Sequence, residues 1–525
     1  MGEEKIMEGL LHAELTRIIA IKENDYILRY GKLFSTEFNN YFYDTGTGKV
    51  VILDDKDFRL LSALFSKDND SRNFMKIFSD LSLEKKNSFL ETLIKENLLR
   101  AYKVTTLNPV LAGTSLENEL NNNIRQLVLE VTEKCNFRCK YCIYNEDYKS
   151  NRSFGTDDMD FNTAKKAIDY IMLHSREKVA VTFYGGEPLL NFELIKKSIE
   201  YALEKGKDKA LNFSITSNLS IMNEEIANYL ANIPNLAFLA SIDGPENIQN
   251  TTRVYSGGKS TFNDTMRGLR FIAEAFKKTG NVLMINAVFV PPYDYEKIEK
   301  INDFFEHLDF LPENIQIQIT YPELDSYQYS EWEDINNNKK YVFDGRTIDP
   351  LKKWALFKAK KNGLTLEHTK NIYFHPMYSY LQQVEMRYRS DKPSSFHYFN
   401  GCCIPGARKI YVKTNGDILL CERIGTSPKI GNIHTGIDVE VVKKKYIDEY
   451  IEASIPDCSK CWGIRMCGNC YCNCYSEKGI ELQEKRKYCE GLLEDCHNRL
   501  VVYYTLKEEY PEILDIFKES TYTLV

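Results

Sequence analysis

Cysteine is missing from most of this 525-residue chain: none of its 14 cysteines precedes Cys135, and none lies between Cys142 and Cys402. In a reducing compartment, such clustering points to metal rather than to disulfides. No apolar run approaches the ~20 residues that a membrane-spanning helix needs, so no membrane partner is expected. Basic residues are not in excess either, with 68 Lys and Arg against 75 Asp and Glu and a net charge of −7. That balance offers no field for nucleic acid or an anionic membrane surface. The opening residues, Met1-Gly2-Glu3-Glu4-Lys5, lack the apolar core of a signal peptide, and a cytoplasmic location is expected. What remains is ordinary globular composition, 43% apolar and 27% charged, in a length fit for several domains.

Four stretches separate by pattern. From about Asp25 to Ala101, Tyr26–Tyr30 alternates like a strand, and Asn40–Asp44 and Lys49–Leu53 flank the turn Thr45-Gly46-Thr47-Gly48 as a hairpin. Three helices follow: one capped by Asp54 or Asp55, one near Phe74–Leu81, and one over Ser82–Arg100 with Ser82 as its cap. A hairpin with three helices resembles a winged helix, here placed in residues 1–105, with a polar linker over 106–124. From 125 to 320, six predicted strands (Leu127–Val131, Val179–Phe183, Leu211–Thr216, Ala237–Ile242, Val282–Val290, Ile315–Thr320) alternate with helices. Such alternation requires a parallel sheet with right-handed crossovers, hence an α/β fold built on a partial (β/α)6 TIM-like barrel with its site at the strands' C-terminal ends. Residues 321–398 predict a bridging segment, 399–496 a Cys-rich domain and 497–525 a helical tail that begins near Leu492.

After the first barrel strand comes Cys135-x3-Cys139-x2-Cys142. Three thiolates on a short loop suit one face of a 4Fe–4S cube and leave one iron open, whereas zinc would want a fourth protein ligand. A C-x3-C-x2-C loop in this position resembles the radical S-adenosylmethionine (SAM) superfamily. The resemblance implies that the open iron binds the amino and carboxylate groups of SAM. One electron then splits a carbon–sulfur bond to give a 5′-deoxyadenosyl radical that takes hydrogen from substrate. It also implies roles for Tyr141 beside the adenine, for the Gly185-Gly186-Glu187-Pro188 motif with Glu187 accepting from the SAM ammonium, and for Arg253 on the SAM carboxylate. Ser217-Asn218 stand where many members have Thr-Asn-Gly, with Leu219 replacing the glycine, and Ser241-x-Asp243-Gly-Pro resembles a ribose-contacting motif.

The second cysteine region, Cys402, Cys403, Gly416, Cys421, then Cys458-x2-Cys461-x5-Cys467, resembles the SPASM extension of peptide-modifying radical SAM enzymes, which usually holds two auxiliary 4Fe–4S clusters. By that pattern Cys458, Cys461, Cys467 and Cys489 hold the distal cluster, and Cys402 or Cys403, Cys421, and Cys470 or Cys472 hold the proximal one. Family spacing lands on Tyr471, which is why Cys470 and Cys472 both stay open, and Cys474 and Cys496 are spare or extra ligands. A structural zinc domain is the competing reading of the two C-x2-C pairs.

The N-terminal module resembles the recognition element of maturases of ribosomally made peptides, where a leader peptide adds as a strand to the hairpin edge. The helix over Ser82–Arg100 mixes Lys85, Lys86, Lys95 and Arg100 with Glu84, Glu91 and Glu96, which does not seek phosphate. These resemblances imply a peptide-modifying radical SAM oxidoreductase with a precursor peptide as partner, an external electron donor such as flavodoxin or ferredoxin, and a Cys thioether as product. The alternatives are carbon–carbon crosslinking or epimerisation, formylglycine formation in sulfatases, and a redox-sensing regulator on DNA.

Overall fold

The computed structural model describes residues 2–109, 114–146, 148, 151–323, 350–399 and 401–519. It opens with a helix, α1 (Gly2–Asn24), that buries Leu11 and Ile18, seven residues apart on one face. Tyr26–Tyr30 is not a strand. Asp25 accepts from the Tyr26 amide (2.7 Å), from Arg29 (2.6 Å) and from the Tyr30 hydroxyl (2.9 Å). These local bonds offer the backbone an alternative to a ladder, and Ile27–Tyr30 closes into a 3₁₀ turn. The strand β1 starts one residue later (Gly31–Ser35) and pairs antiparallel with β2 (Asn40–Asp44), which pairs with β3 (Val50–Leu53).

The three helices follow as expected. Asp54 caps α2 (Asp55–Leu64) by accepting the Asp57 amide, α3 is Arg72–Ser79, and Ser82 caps α4 (Leu83–Lys95) by accepting the Lys85 amide. The last helix stops at Lys95 rather than Arg100, because Asn97 and Leu99 take φ of 56° and 55°, which an α-helix does not accommodate. The expected linker holds a helix of its own, α5 (Leu116–Asn122), capped by Ser115.

The barrel strands are β4 (Gln126–Thr132), β5 (Lys178–Gly185), β6 (Ala210–Ser217), β7 (Leu236–Ser241), β8 (Val282–Val288) and β9 (Gln316–Thr320), all paired in parallel in that order. Between them lie α6 (Phe161–His174), α7 (Phe192–Lys205), α8 (Glu224–Ala231), the unforeseen short α9 (Glu246–Thr252), and α10 (Phe262–Phe276); α11 (Tyr295–Glu306) precedes β9. Strands β5 to β9 alternate buried with less buried residues, as a sheet does when helices cover one face and the other lines a lumen.

The sheet does not end at β4. A strand of the Cys-rich region, β10 (Ile410–Val412), pairs with β4 in parallel, Ile410 opposite Leu127. It turns back through Gly416, at φ 84°, into β11 (Asp417–Leu419), followed by β12 (Gly431–Asn432) and β13 (Gly436–Ile437), so that ten strands form one sheet. Helices α12 (Pro350–Asn362) and α13 (Phe374–Glu385) occupy the bridging segment, and α14 (Glu449–Cys458) leads into the cysteine-rich loops. The tail helix, α15 (Leu482–Glu509), starts at Leu482 instead of Leu492, so no boundary falls at 496/497. Cys489 and Cys496 stand two turns apart on it, on one face. Among the described residues no helix is long and apolar enough to cross a membrane.

Candidate active site

The loop after β4 carries Cys135, Cys139 and Cys142 to the C-terminal mouth of the barrel, and a second strand-like segment supports it from behind. Arg138 and Lys140 donate their backbone amides to the carbonyls of Val254 (2.7 Å) and Thr252 (2.9 Å), and Ser256 donates to Asn136 (2.9 Å). The Phe137 amide points at Cys135 Sγ (3.4 Å) and the Tyr144 amide at Cys142 Sγ (3.5 Å). Amides aimed at sulfur favour thiolate, but burial dominates and pushes all three thiols up, Cys139 to about 12. Neighbouring thiols contribute to the upward shift of Cys135 and Cys139, so the three lie within electrostatic reach of one another. Deprotonating such a set requires the positive charge of bound metal.

Behind this loop the Gly-Gly-Glu motif is packed too closely for side chains. A Cβ on Gly185, at φ 135°, would stand 2.2 Å from the Thr132 carbonyl oxygen, and one on Gly186 would stand 2.1 Å from that of Lys134. The motif thereby brings Glu187 beneath the loop, where it is 1% exposed. Its carboxylate accepts from the Ser217 hydroxyl (2.8 Å), the Leu189 amide (3.0 Å) and the Asn218 amide (2.7 Å), while burial raises its pKa. Three of about four acceptor positions are thus taken by the chain's own donors. Asn218, Ser220 and Asn136 close a ring of hydrogen bonds of 2.7 to 2.9 Å that ties the end of β6 to the cysteine loop. Leu219 adopts φ 66°, the left-handed conformation that a glycine would take freely, with its side chain wholly buried.

On the other side Tyr141, Asp243 and Arg253 form a buried triad. Arg253 donates to the Tyr141 hydroxyl (2.8 Å), which donates to Asp243 Oδ2 (2.7 Å), and the two charges stand 4.0 Å apart. Asp243 also accepts the Val288 amide (3.0 Å). Arg253 is 5% exposed, and its Nε has no partner. A buried donor left over at the rim of a three-thiol loop fits an anionic ligand group there. Ser241 closes β7 two residues before Asp243 and stands outside the triad.

The other eleven cysteines fall into two electrostatically linked sets with Cys474 between them. Cys402 and Cys472 each interact directly with Cys470, Cys421 lies within its electrostatic reach, and Cys403 and Cys470 act on the same Arg408. Cys458, Cys461, Cys467, Cys489 and Cys496 form the second set. Of the candidates at the ambiguous positions, Cys402 and Cys472 both meet Cys470, and Cys403 is linked to it through Arg408. No three His, Cys, Asp or Glu side chains converge on a single-ion site among the described residues. Lys485 faces the second set and is not singled out by the sequence pattern. It is 2% exposed, and Cys458, Cys489, Cys467 and Cys474 raise its pKa against desolvation. Buried charges are paired or face metal sites, and this ammonium faces thiols. Its spacing of four before Cys489 is the helical signal that would have found it. Burial raises Cys421 and Cys496 to about 12, whereas hydrogen bonds from Cys402 and Cys472 lower Cys470.

Residues 129–305 match the Radical SAM superfamily. An uncharacterized protein of Methanocaldococcus jannaschii is 38% identical over 148 residues, 28% of this chain and 48% of its own. The radical SAM cyclopropyl synthase TigE of Paramaledivibacter caminithermalis is 26% identical over 180 residues, 32% of this chain and 36% of its own. The cysteine-type anaerobic sulfatase-maturating enzyme of Clostridium novyi is 26% identical over 193 residues, 36% of this chain and 49% of its own. The chain thus spans less than half the length of each. Among solved structures, native anSMEcpe with bound AdoMet shares the fold, with a TM-score of 0.53 and 20% identity over 76% of this chain and 100% of that one.

Proposed function

We propose, from the radical SAM domain that residues 129–305 form, that this chain modifies a ribosomally synthesised precursor peptide and that the bond it makes is a cysteine thioether. One observation carries the reading. The strand that leads to Cys421, β11, is joined through β10 to β4, the strand that leads to Cys135, so the Cys-rich region belongs to the barrel's own sheet. Glu422, Cys142 and Arg423 all act electrostatically on the buried Tyr184 at the end of β5, which supports a short separation between the segment after Cys421 and the barrel loop. A peptide held there meets both sites at once.

Cys135, Cys139 and Cys142 would hold a 4Fe–4S cluster with one open iron, and Arg253 would meet the SAM carboxylate with its free Nε. When bound, these groups supply a reductively generated radical that removes hydrogen from substrate. Glu187 fixes the end of β6 against the cysteine loop and keeps little capacity for the SAM ammonium, so its main work is to hold the loop's shape. Tyr141 holds Arg253 and Asp243 in register. The proximal and distal sets would hold auxiliary clusters, the buried charge of Lys485 offsetting the thiolates of the second. An external flavodoxin or ferredoxin would deliver the electron.

The leader would add to the free edge of β3, where Ile52 is 67% exposed. The other edge is closed, since β1 packs against α15. Ile52→Asp in the full chain should weaken leader binding in a titration, and unchanged affinity would refute the edge assignment. The whole reading is tested by incubating reduced, SAM-supplied enzyme with a cognate Cys-containing peptide. Release of 5′-deoxyadenosine with loss of two hydrogens from the peptide is expected. Nucleoside release with no mass loss would sink the thioether, and no release would sink the enzyme.

A further inference from the structure

The N-terminal module has its own core, built on Phe42, Leu60, Leu64, Phe74 and Leu93, yet Phe34, Tyr41 and Tyr43 of the same sheet belong to the core of the barrel and Cys-rich region instead. Strand alternation explains the split: Phe42 faces the module, and its neighbours on β2 face away. Tyr43 thereby reaches the segment that carries Cys461. Its ring meets Trp462, next to Cys461, edge-on at 5.9 Å between centroids. Gly463 follows Trp462 in the chain, and its Cβ, if it had one, would stand 3.9 Å from the sulfurs of both Cys461 and Cys496. Burial raises the pKa of the Tyr43 hydroxyl, and Arg465, Arg387, Cys496 and Asp44 act on it electrostatically.

Two further contacts press the hairpin into this place. Thr45 donates its hydroxyl to the Trp462 carbonyl (3.0 Å), and Arg465 donates to the Thr45 carbonyl (2.6 Å) and to that of Gly46. Lys32 of β1 extends its ammonium over the Trp462 ring at 5.7 Å. The Tyr43 side chain is 0% exposed, and its hydroxyl has no hydrogen-bond partner. An unpaired buried hydroxyl carries a desolvation cost that an apolar phenylalanine in the same place would not.

We propose that the N-terminal module is a wall of the distal auxiliary site, with the Tyr43 hydroxyl as an outer-sphere hydrogen-bond donor to the cluster that Cys458, Cys461, Cys467 and Cys489 would hold. The inference rests on the reading that this set binds iron and sulfide. Its physical content is that a donor beside a cluster sulfur stabilises the more negative, reduced state, and so raises the potential. The module is then not a detachable adaptor: removing residues 1–105 would strip the distal site of Tyr43, Lys32 and Thr45 together.

The test uses the full chain, wild type and Tyr43→Phe, reconstituted anaerobically with iron and sulfide and titrated by EPR-monitored potentiometry without peptide. Phenylalanine keeps the ring and loses only the hydroxyl. A negative shift of one cluster's midpoint, the others unmoved and the iron content equal, is expected. In the iron-free protein the same substitution should leave thermal stability unchanged or raised, a sign that a merely structural tyrosine would not give. About twelve irons per wild-type chain with no midpoint moved by Tyr43→Phe overturns the role of Tyr43 alone. About eight irons or fewer, with none on the distal cysteines by Cys467→Ala difference spectra, overturns the distal cluster and this inference with it. Should Tyr43→Phe fold poorly, Lys32→Met removes the second donor over Trp462 and predicts the same single negative shift.

Discussion

Tyr141→Phe separates two roles for the aromatic in the cysteine loop, a surface for a nucleoside base and a link between buried charges. The hydroxyl lies between Arg253 (2.8 Å) and Asp243 (2.7 Å), and without it those charges face each other at 4.0 Å. Each bond to a charged partner contributes about 1.5–3 kcal/mol. Partial closure of Arg253 onto Asp243 recovers some of that, so a net loss of about 2–3 kcal/mol is expected, within the range for breaking a buried network. Since each ~1.4 kcal/mol is tenfold, local opening should become about 30- to 150-fold more frequent. Amide hydrogen exchange reads this without assuming that a chain of several domains unfolds in two states. The Val288 amide, which donates to Asp243 Oδ1 at 3.0 Å, is the reporter, together with the loop amides of Arg138 and Lys140, which donate to the carbonyls of Val254 and Thr252 on either side of Arg253. Exchange within threefold of wild type at all three positions would show that the hydroxyl is a bystander and refute the link.

Three further outcomes are expected. Burial, helped by Arg465, lowers His397 from 6.5 to about 4. The unfolded imidazole therefore takes a proton through a window in which the folded one does not. Stability present above pH 6.5 should drain as pH falls toward 4, by up to about 3 kcal/mol, and His397→Gln should flatten a urea-midpoint profile over that range. Leu219→Gly relieves about 1–2 kcal/mol of left-handed strain but empties a fully buried site worth about 2–5 kcal/mol. It should lower the melting temperature, whereas a rise would show that strain outweighs packing. Glu508 accepts from Thr36 (3.1 Å), Asn39 (2.6 Å) and the Tyr41 hydroxyl (2.6 Å), so Glu508→Ala should speed proteolysis near residues 36–41 while leaving the iron content unchanged.

The barrel was legible because its strands and helices carry strong periods: each of the six predicted strands lies within two residues of its place, and Phe262–Phe276 is helical end to end. The motifs were legible because they sit at strand ends, as Cys135, Glu187, Asn218 and Asp243 do. Failures came where one side chain outbid the pattern. Asp25 gathers three donors and turns Tyr26–Tyr30 into a 3₁₀ turn, although the residues alternate well. Two left-handed residues end α4, and neither is a glycine. Nothing local predicts α1, whose buried positions are set by the module it packs against, or the pairing of β10 with β4, which joins segments about 280 residues apart. Lys485 and Tyr43 were missed for a related reason: their meaning lies in the thiols and aromatic rings they face, and only the fold supplies those neighbours.

An open parallel sheet has two raw borders, and either one invites a stray chain to add itself. Joining β10 to β4 hides one border behind a run of strands that shrink to two residues at β12 and β13, too short to template anything. The same annexation ties the Cys-rich region to the barrel by backbone hydrogen bonds, β11 to β10 and β10 to β4. Mutations far out on the Cys-rich surface should leave that register unchanged.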